Sequence, residues 1–234
     1  DCVQDCAQVW GGTAYVDSCN VCDDDTANDC ILISISATTT SSATVSYDSP
    51  YDIGGFQFDV SGAALTGASS ALDEVDFNAA NGRVIGYSFS GSVLAAGSGD
   101  IAVINFDESV SGYSLSLSGV SLSSTAGSSL VTGTVTGADA PVCANADGDS
   151  ACDAVDACPQ DANDDSDGDG SCDSDDACPY DAEDDADGDG ICGDVDACPY
   201  DAEDDADADG LCGDVDDCPY DAENDADADG LCGD

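Results

Sequence analysis

The chain runs to 234 residues, enough for one ordinary domain with extensions, and sets 52 acidic side chains against a single basic one, Arg83, for a formal net charge of −51. With no basic patch to meet phosphates, nucleic-acid binding is excluded. With no His, no Lys and no nucleophile–base set, the chain does not read as an enzyme. Fifteen cysteines without histidine, placed among hard carboxylates, favour disulfides over zinc and hence an oxidising, extracellular setting. No apolar stretch spans a membrane, and the lack of a secretory leader reads as a mature, processed chain.

Residues 1–30 hold Cys2, Cys6, Cys19, Cys22 and Cys30 in a Gly/Asp/Asn-rich stretch with too few apolar residues for a core. A small disulfide-held head module is expected. Its strings Asp5-Cys6-Ala7-Gln8-Val9-Trp10-Gly11-Gly12-Thr13-Ala14 and Asp17-Ser18-Cys19-Asn20-Val21-Cys22 resemble a short cysteine-rich repeat of secreted marine and microbial proteins.

Residues 31–138 alternate apolar with small polar side chains, in the runs 31–36, 43–47, 56–60, 84–89, 101–106, 113–117 and 130–135. Period two, β-branched and aromatic enrichment, and Gly/Ser/Asn/Asp turns predict seven to nine strands in a two-sheet sandwich. A helical period shows only around Ala71–Phe77. The runs Ile53-Gly54-Gly55-Phe56-Gln57-Phe58-Asp59-Val60, Gly82–Gly91 and Ala96–Phe106 resemble the cohesin-like β-sandwich, a jelly roll. That resemblance implies the fold and a role in extracellular assembly. The dockerin pattern of two calcium loops, each running into an amphipathic helix, is missing, so the resemblance does not carry partner recognition with it.

Residues 139–234 contain 35 of the acids from residue 141 onward and repeat with a period of twenty. The frame Asp-x-Asp-x-Asp-Gly returns as Asp165/Asp167/Asp169, Asp185/Asp187/Asp189, Asp205/Asp207/Asp209 and Asp225/Asp227/Asp229. A degenerate first copy reads Asn145/Asp147/Asp149, with Ser150 for the glycine. Position twelve of the loops is acidic again, at Asp156, Asp176, Asp196 and Asp216. Oxygen side chains at alternating positions before a turn-forming residue can wrap a hard cation that takes six to eight oxygens. Calcium is therefore the expected cofactor, several ions in all and at least one per repeat.

The same frames, with the punctuation Asp156-Ala157-Cys158-Pro159, Asp176-Ala177-Cys178-Pro179, Asp196-Ala197-Cys198-Pro199 and Asp216-Asp217-Cys218-Pro219, resemble thrombospondin type 3 repeats. That resemblance implies an irregular, calcium-wrapped rod with almost no hydrophobic core. It implies ligands at positions one, three, five and twelve and the backbone carbonyl at seven, Ser171 in the second copy. Position nine is Asp153 or Asp173 in the first two copies. Gly193 and Gly213 stand there in the next two, where Asp194 and Asp214 are possible substitutes. The acids left over, Asp181, Glu183 and Asp184, then Asp201, Glu203 and Asp204, either share a second ion per repeat or are simply solvated. The resemblance further implies disulfides Cys158–Cys172, Cys178–Cys192, Cys198–Cys212 and Cys218–Cys232, with Cys143–Cys152 at the start. Spacing alone also permits pairs of the Cys172–Cys178 type.

The expected fold is thus mainly β, a sandwich flanked by a disulfide-rich head and a calcium-wrapped repeat region. The fifth loop stops at Asp234, its tenth position, and internal pairing of the repeats leaves one head cysteine over. Head-to-tail assembly through Asp1, Cys2 and Asp234 into a homopolymer is one expectation, and a fragment of a longer array is the other. A secreted structural protein of a filament or matrix is the favoured reading. Its rival is an adhesin whose sandwich binds a glycan or protein. Trp10, Tyr47, Tyr51 and Tyr113 are candidates for sugar stacking, although packing is the commoner role of such residues. The run Thr38–Ser42 is a candidate for O-linked glycans, and there is no Asn-x-Ser/Thr sequon.

Overall fold

The structure, a computed structural model, describes residues 4–10, 12–16, 19, 22–24, 29–228 and 230–233. Asp1, Cys2, Asp229 and Asp234 lie outside the described residues, and so does the junction expected from them. The chain divides into two compact units, Asp1–Ala144 and Asn145–Asp234.

The first unit begins with β1 (Tyr15–Val16) paired antiparallel to β2 (Cys22–Asp23). Disulfides Cys6–Cys22 and Cys19–Cys30 hold this segment. Val9, Trp10, Tyr15 and Val16 remain exposed, so cross-links stand in for a core here.

Eleven strands follow: β3 (Ile31–Thr38), β4 (Ser42–Ser49), β5 (Gly55–Ser61), β6 (Leu65–Ser69), β7 (Glu74–Asn78), β8 (Arg83–Tyr87), β9 (Gly97–Phe106), β10 (Tyr113–Ser123), β11 (Ser129–Leu130), β12 (Thr132–Thr136) and β13 (Ala138–Ala140). They form two sheets. One has the order β11-β10-β5-β8-β7, with β13 also paired to β10, and the other β12-β3-β4-β9-β6. Every pairing is antiparallel except β12 with β3.

Period-two alternation produces this packing. Ile31, Ile33 and Ile35 on β3 and Ala43, Val45 and Tyr47 on β4 point inward, while the Ser and Thr residues between them do not. The opposing sheet supplies Phe56, Phe58 and Val60 from β5, Val84 from β8, and Leu115 and Leu122 from β10. Each such apolar side chain taken fully from water contributes about 1.5–3 kcal/mol. Gly86 on β8 lies opposite Phe56. A Cβ there would sit 2.2 Å from Cε1 of the Phe56 ring, so the ring occupies the space that a side chain would need.

Two sequence expectations are corrected. The stretch around Ala71–Phe77 is not helical: it leads into strand β7, and no helix occurs among the described residues. The sandwich has eleven strands rather than seven to nine: the edge strands β6 and β7 lack clear alternation, the run 130–135 divides between β11 and β12, and the short β13 adds a pairing to β10. No helix is long and apolar enough to cross a membrane among the described residues.

The second unit contains turns and bends but no helix or strand among its described residues. Its buried apolar side chains are the half-cystines Cys152, Cys158, Cys178, Cys198 and Cys218. Disulfides join Cys158–Cys172, Cys178–Cys192, Cys198–Cys212 and Cys218–Cys232, the longer-loop pairing in every case. Cys143 and Cys152 are also disulfide-bonded. All fourteen described cysteines are therefore oxidised, which points to an extracellular or secreted protein.

Candidate metal centre

Residues of the repeats are numbered here from position one of each frame, so that Asp165 is position one and Asp184 position twenty of the second repeat. Local hydrogen bonds fix the loop carboxylates, at position one by both oxygens and at positions three, five and twelve by one. At position one, Asp165 accepts the N–H of Gly168 at 2.6 Å on Oδ1 and of Gly170 at 3.0 Å on Oδ2. At position three, Asp147, Asp167, Asp187 and Asp207 each accept the N–H two residues on, at 3.2 Å. At position five, Asp149, Asp169, Asp189 and Asp209 do the same at 2.7–2.8 Å. At position twelve, Asp156, Asp176, Asp196 and Asp216 accept the N–H of the half-cystine two residues later at 2.8 Å. At positions three, five and twelve these Asx turns aim the second oxygen inward.

The carboxylates converge. One ligand atom each from Asp147, Asp149 and Asp156 lie within 4.8 Å of one another, and so do those of Asp165, Asp167 and Asp169 and of Asp185, Asp187 and Asp189. A further kind of group joins positions five, twelve and twenty: Asp169, Asp176 and Asp184, then Asp189, Asp196 and Asp204. Position five belongs to both kinds in the second and third repeats.

Position twenty is the member that the predicted ligand set lacked. Asp164, Asp184 and Asp204 directly precede the next loop, and each has left-handed backbone, with φ of 63°, 57° and 55°. The same turn recurs around them. Their N–H donates three residues back, to the carbonyl of Asp161, Asp181 or Asp201, and their own carbonyl accepts the N–H of Asp173, Gly193 or Gly213. This turn directs the side chain back into the preceding loop. Asp164 was not singled out from the sequence, and Asp184 and Asp204 stood among the leftover acids for which a shared second ion and plain solvation were both open. The legible signal was an acid recurring just before the second, third and fourth frames.

The other leftover acids have separate tasks. Asp161, Asp181 and Asp201 accept the N–H of position ten in the next loop, from Ser174, Asp194 and Asp214 at 2.5, 2.9 and 3.1 Å. The N–H of Asn163, and after it that of Ser174, hold Asp161 below the usual carboxylate range. Glu183 accepts the hydroxyl of Tyr200. At position nine, Asp153 and Asp173 each accept the N–H of position two, Ala146 and Ser166, at 2.8 Å, and Asp173 also accepts the Ser166 hydroxyl on Oδ2 at 2.7 Å, so both brace the loop. Asp194 lies in a recess with Asp181, Glu183, Asp184 and Tyr200. In the fifth frame Asp225 accepts the N–H of Gly230 at 2.9 Å, and Asp227 lies among the described residues.

The electrostatics of the groups are unfavourable as they stand. Oδ2 of Asp147, Asp156, Asp167, Asp187, Asp196 and Asp207, and Oδ1 of Asp184 and Asp204, are buried and receive no hydrogen bond. Burial, reinforced by neighbouring carboxylates, raises the pKa of Asp164, Asp167, Asp184, Asp187, Asp204 and Asp207. No Lys, Arg or His occurs anywhere in residues 145–234. Buried anionic oxygens demand a partner, and within this unit no cationic side chain is available to be one. Clustered hard oxygens of this kind fit calcium's ligand preferences.

On the sandwich, the proposed sugar-stacking set is corrected. Tyr47 is buried and donates to the carbonyl of Ala95 at 2.8 Å. Tyr51 packs against the core, and so does Tyr113, edge-on to Phe106. Only Trp10 of the four is exposed. The sandwich instead exposes Phe89, which meets Tyr87 edge-on.

No protein-family profile and no curated protein matches the sequence. Among solved structures the chain is similar to a non-cellulosomal cohesin from the archaeon Archaeoglobus fulgidus, at 12% identity over 48% of this chain and 91% of that one, with a TM-score of 0.38. It is also similar to a type II cohesin domain from the cellulosome of Acetivibrio cellulolyticus, at 16% identity over 48% and 94%, TM-score 0.33. A third is the cohesin module of a family 33 glycoside hydrolase from Clostridium perfringens, at 13% identity over 48% and 95%, TM-score 0.34.

Proposed function

We propose that this is a secreted, calcium-stabilised structural protein of an extracellular filament or matrix, whose acidic repeats fold around several calcium ions, at least one per repeat. One observation carries the reading: eight buried aspartate oxygens without a hydrogen bond point into carboxylate groups, in a unit with no cationic side chain. Positions three, five, twelve and twenty would hold the ions, with backbone carbonyls and water completing six to eight oxygens. A bound calcium supplies positive charge that the sequence lacks, and its binding free energy becomes folding free energy for a unit without a core. The sandwich needs no metal for its own hydrophobic core.

Calorimetric unfolding in millimolar calcium and in excess chelator tests this. Two transitions are expected in calcium, and the one belonging to the repeats should disappear with chelator while the sandwich transition stays. Identical traces in both conditions would refute the calcium reading. Electron microscopy of the same samples tests assembly: ordered fibres in calcium support the filament, and single particles at all concentrations refute it.

A second reading, a sandwich that binds a partner, is favoured by Phe89. Its N–H and that of Ser90 donate to Oδ2 of Asp73 at 2.8 and 2.6 Å, as does the Ser88 hydroxyl at 2.8 Å. The hydroxyls of Ser90 and Ser92 meet the other oxygen. Five contacts to Asp73 fix the loop that presents this exposed aromatic, so its backbone loses little freedom on binding. Loss of partner or glycan capture in Phe89→Ala would support it, and unchanged capture would refute it.

A further inference from the structure

Position twenty is occupied by an acid three times and by an amide once. Asn224 has the backbone of its counterparts: φ is 55°, and its N–H donates to the carbonyl of Asp221 at 2.8 Å, as those of Asp184 and Asp204 do to Asp181 and Asp201. The turn therefore delivers residue 224 to the same place in the fourth loop. What arrives there differs. Oδ1 of Asp184 and of Asp204 is buried beside the carboxylates of positions five and twelve with nothing donating to it. Asn224 instead donates Nδ2 to Oδ2 of Asp209, the position-five carboxylate. One negative charge is lost from the group, and one of the oxygens a cation would use is already hydrogen-bonded.

A second difference falls on the same loop. Gly148, Gly168 and Gly188 occupy position four with φ of 82°, 82° and 85°, and each donates its N–H to the position-one side chain at 2.6–2.7 Å. Position four of the fourth loop is Ala208, still at φ 66°, and its N–H goes to the backbone carbonyl of Asp205 at 3.2 Å. A left-handed alanine is disfavoured, and the position-one carboxylate loses that tie.

We propose that Asn224, hydrogen-bonded to Asp209 where the preceding repeats place Asp184 and Asp204, makes the inner site of the fourth loop the weak calcium site of the array, filled only after those of the second and third. The proposal rests on the calcium reading and deepens it. The repeats are then not interchangeable. Two fully acidic loops at the centre stay loaded at calcium levels where the fourth loop empties, and that loop becomes the segment responsive to calcium in its surroundings. Ligand charge count is a main determinant of calcium affinity. To admit an ion, the Asn224 amide must release Asp209 and rotate to offer its carbonyl oxygen, a neutral ligand.

The test is calcium binding to the whole chain by isothermal titration and equilibrium dialysis, on wild type, Asn224→Asp and the reciprocal Asp204→Asn. Wild type should show more than one affinity class. Asn224→Asp should move one ion from the weak to the tight class, tightening it roughly tenfold or more, with total stoichiometry unchanged. Asp204→Asn should move one ion the other way. A single class in wild type, or an isotherm that Asn224→Asp leaves unchanged, overturns the proposal while the calcium reading stands. Dialysis that detects no bound calcium in any of the three overturns both.

Discussion

Tyr200 donates its hydroxyl to Oε2 of Glu183 at 2.6 Å, from one repeat back to the one before it. Tyr220 makes the same contact with Glu203. Both rings are largely exposed, so they act as ties between neighbouring repeats rather than as core. The hydrogen bond to the glutamate, then its negative charge, raises the pKa of each phenol. A raised folded pKa means that the stabilisation is complete below the ordinary tyrosine value of about 10 and is lost as pH rises through the higher folded value. Spectrophotometric titration should show a late-ionising tyrosine fraction that shrinks in Tyr200→Phe/Tyr220→Phe. A titration curve of unaltered shape would mean that the contacts do not persist in solution.

Carboxylates with raised pKa values predict opposite pH behaviour with and without calcium. In the metal-free protein, Asp167, Asp184, Asp187, Asp204 and Asp207 favour the protonated form. Their contribution to stability is full below the ordinary aspartate value, about 3.9, and disappears as pH rises through the raised folded values. The chelated repeats should therefore gain stability as pH falls from 7 toward 4. In calcium the ion competes with protons for the same oxygens, so affinity and stability should fall over that range. Parallel pH dependence in the two conditions, followed by thermal unfolding, would count against the ligand assignment.

Ala208 and Ala228 hold left-handed backbone, φ 66° and 60°, where the earlier repeats place glycine. Relieving this should offset the extra chain entropy of glycine. Ala208→Gly is expected to stabilise the calcium-loaded repeats by about 1 kcal/mol, seen as a higher melting temperature of that transition. A lower one would show that entropy dominates.

Gly86→Ala should destabilise the sandwich by about 1–3 kcal/mol, because the new methyl meets the Phe56 ring. Phe56 is buried and stacked on Phe58 with centroids 5.5 Å apart, so it has little room to yield. Combining Gly86→Ala with Phe56→Leu should cost less than the sum of the two single changes, and strict additivity in denaturant unfolding would contradict the clash.

Removing the Cys178–Cys192 link with serines should cost about 3 kcal/mol in the chain-entropy model for a loop of this length. The loss should appear in the repeat transition alone. A shift of the sandwich transition instead would contradict the division into two units.

Much of this protein was legible in its sequence because its two regular patterns are local. Ile33 and Ile35 alternate with Ser34 and Ser36, and period two assigns them with Ile31 to one face without knowledge of any other strand. The Asp165/Asp167/Asp169 frame likewise declares its chemistry within five residues, through turns each carboxylate makes with its own backbone. Cys178 and Cys192 pair as the repeat resemblance implied.

Tertiary structure decided what depends on separated segments. β6 and β7 became strands because β9 and β8 offered them edges, although their own side chains alternate weakly. Tyr47 and Tyr113 turned inward, since an aromatic run cannot state which sheet will cover it. Above all, a string of acids does not say which of them share an ion. The left-handed turn at position twenty separates Asp184, directed at Asp169 and Asp176, from its neighbour Glu183, which accepts Tyr200. Charge and composition are properties of the chain, but the convergence of carboxylates belongs to the turns that bring one repeat back onto the last.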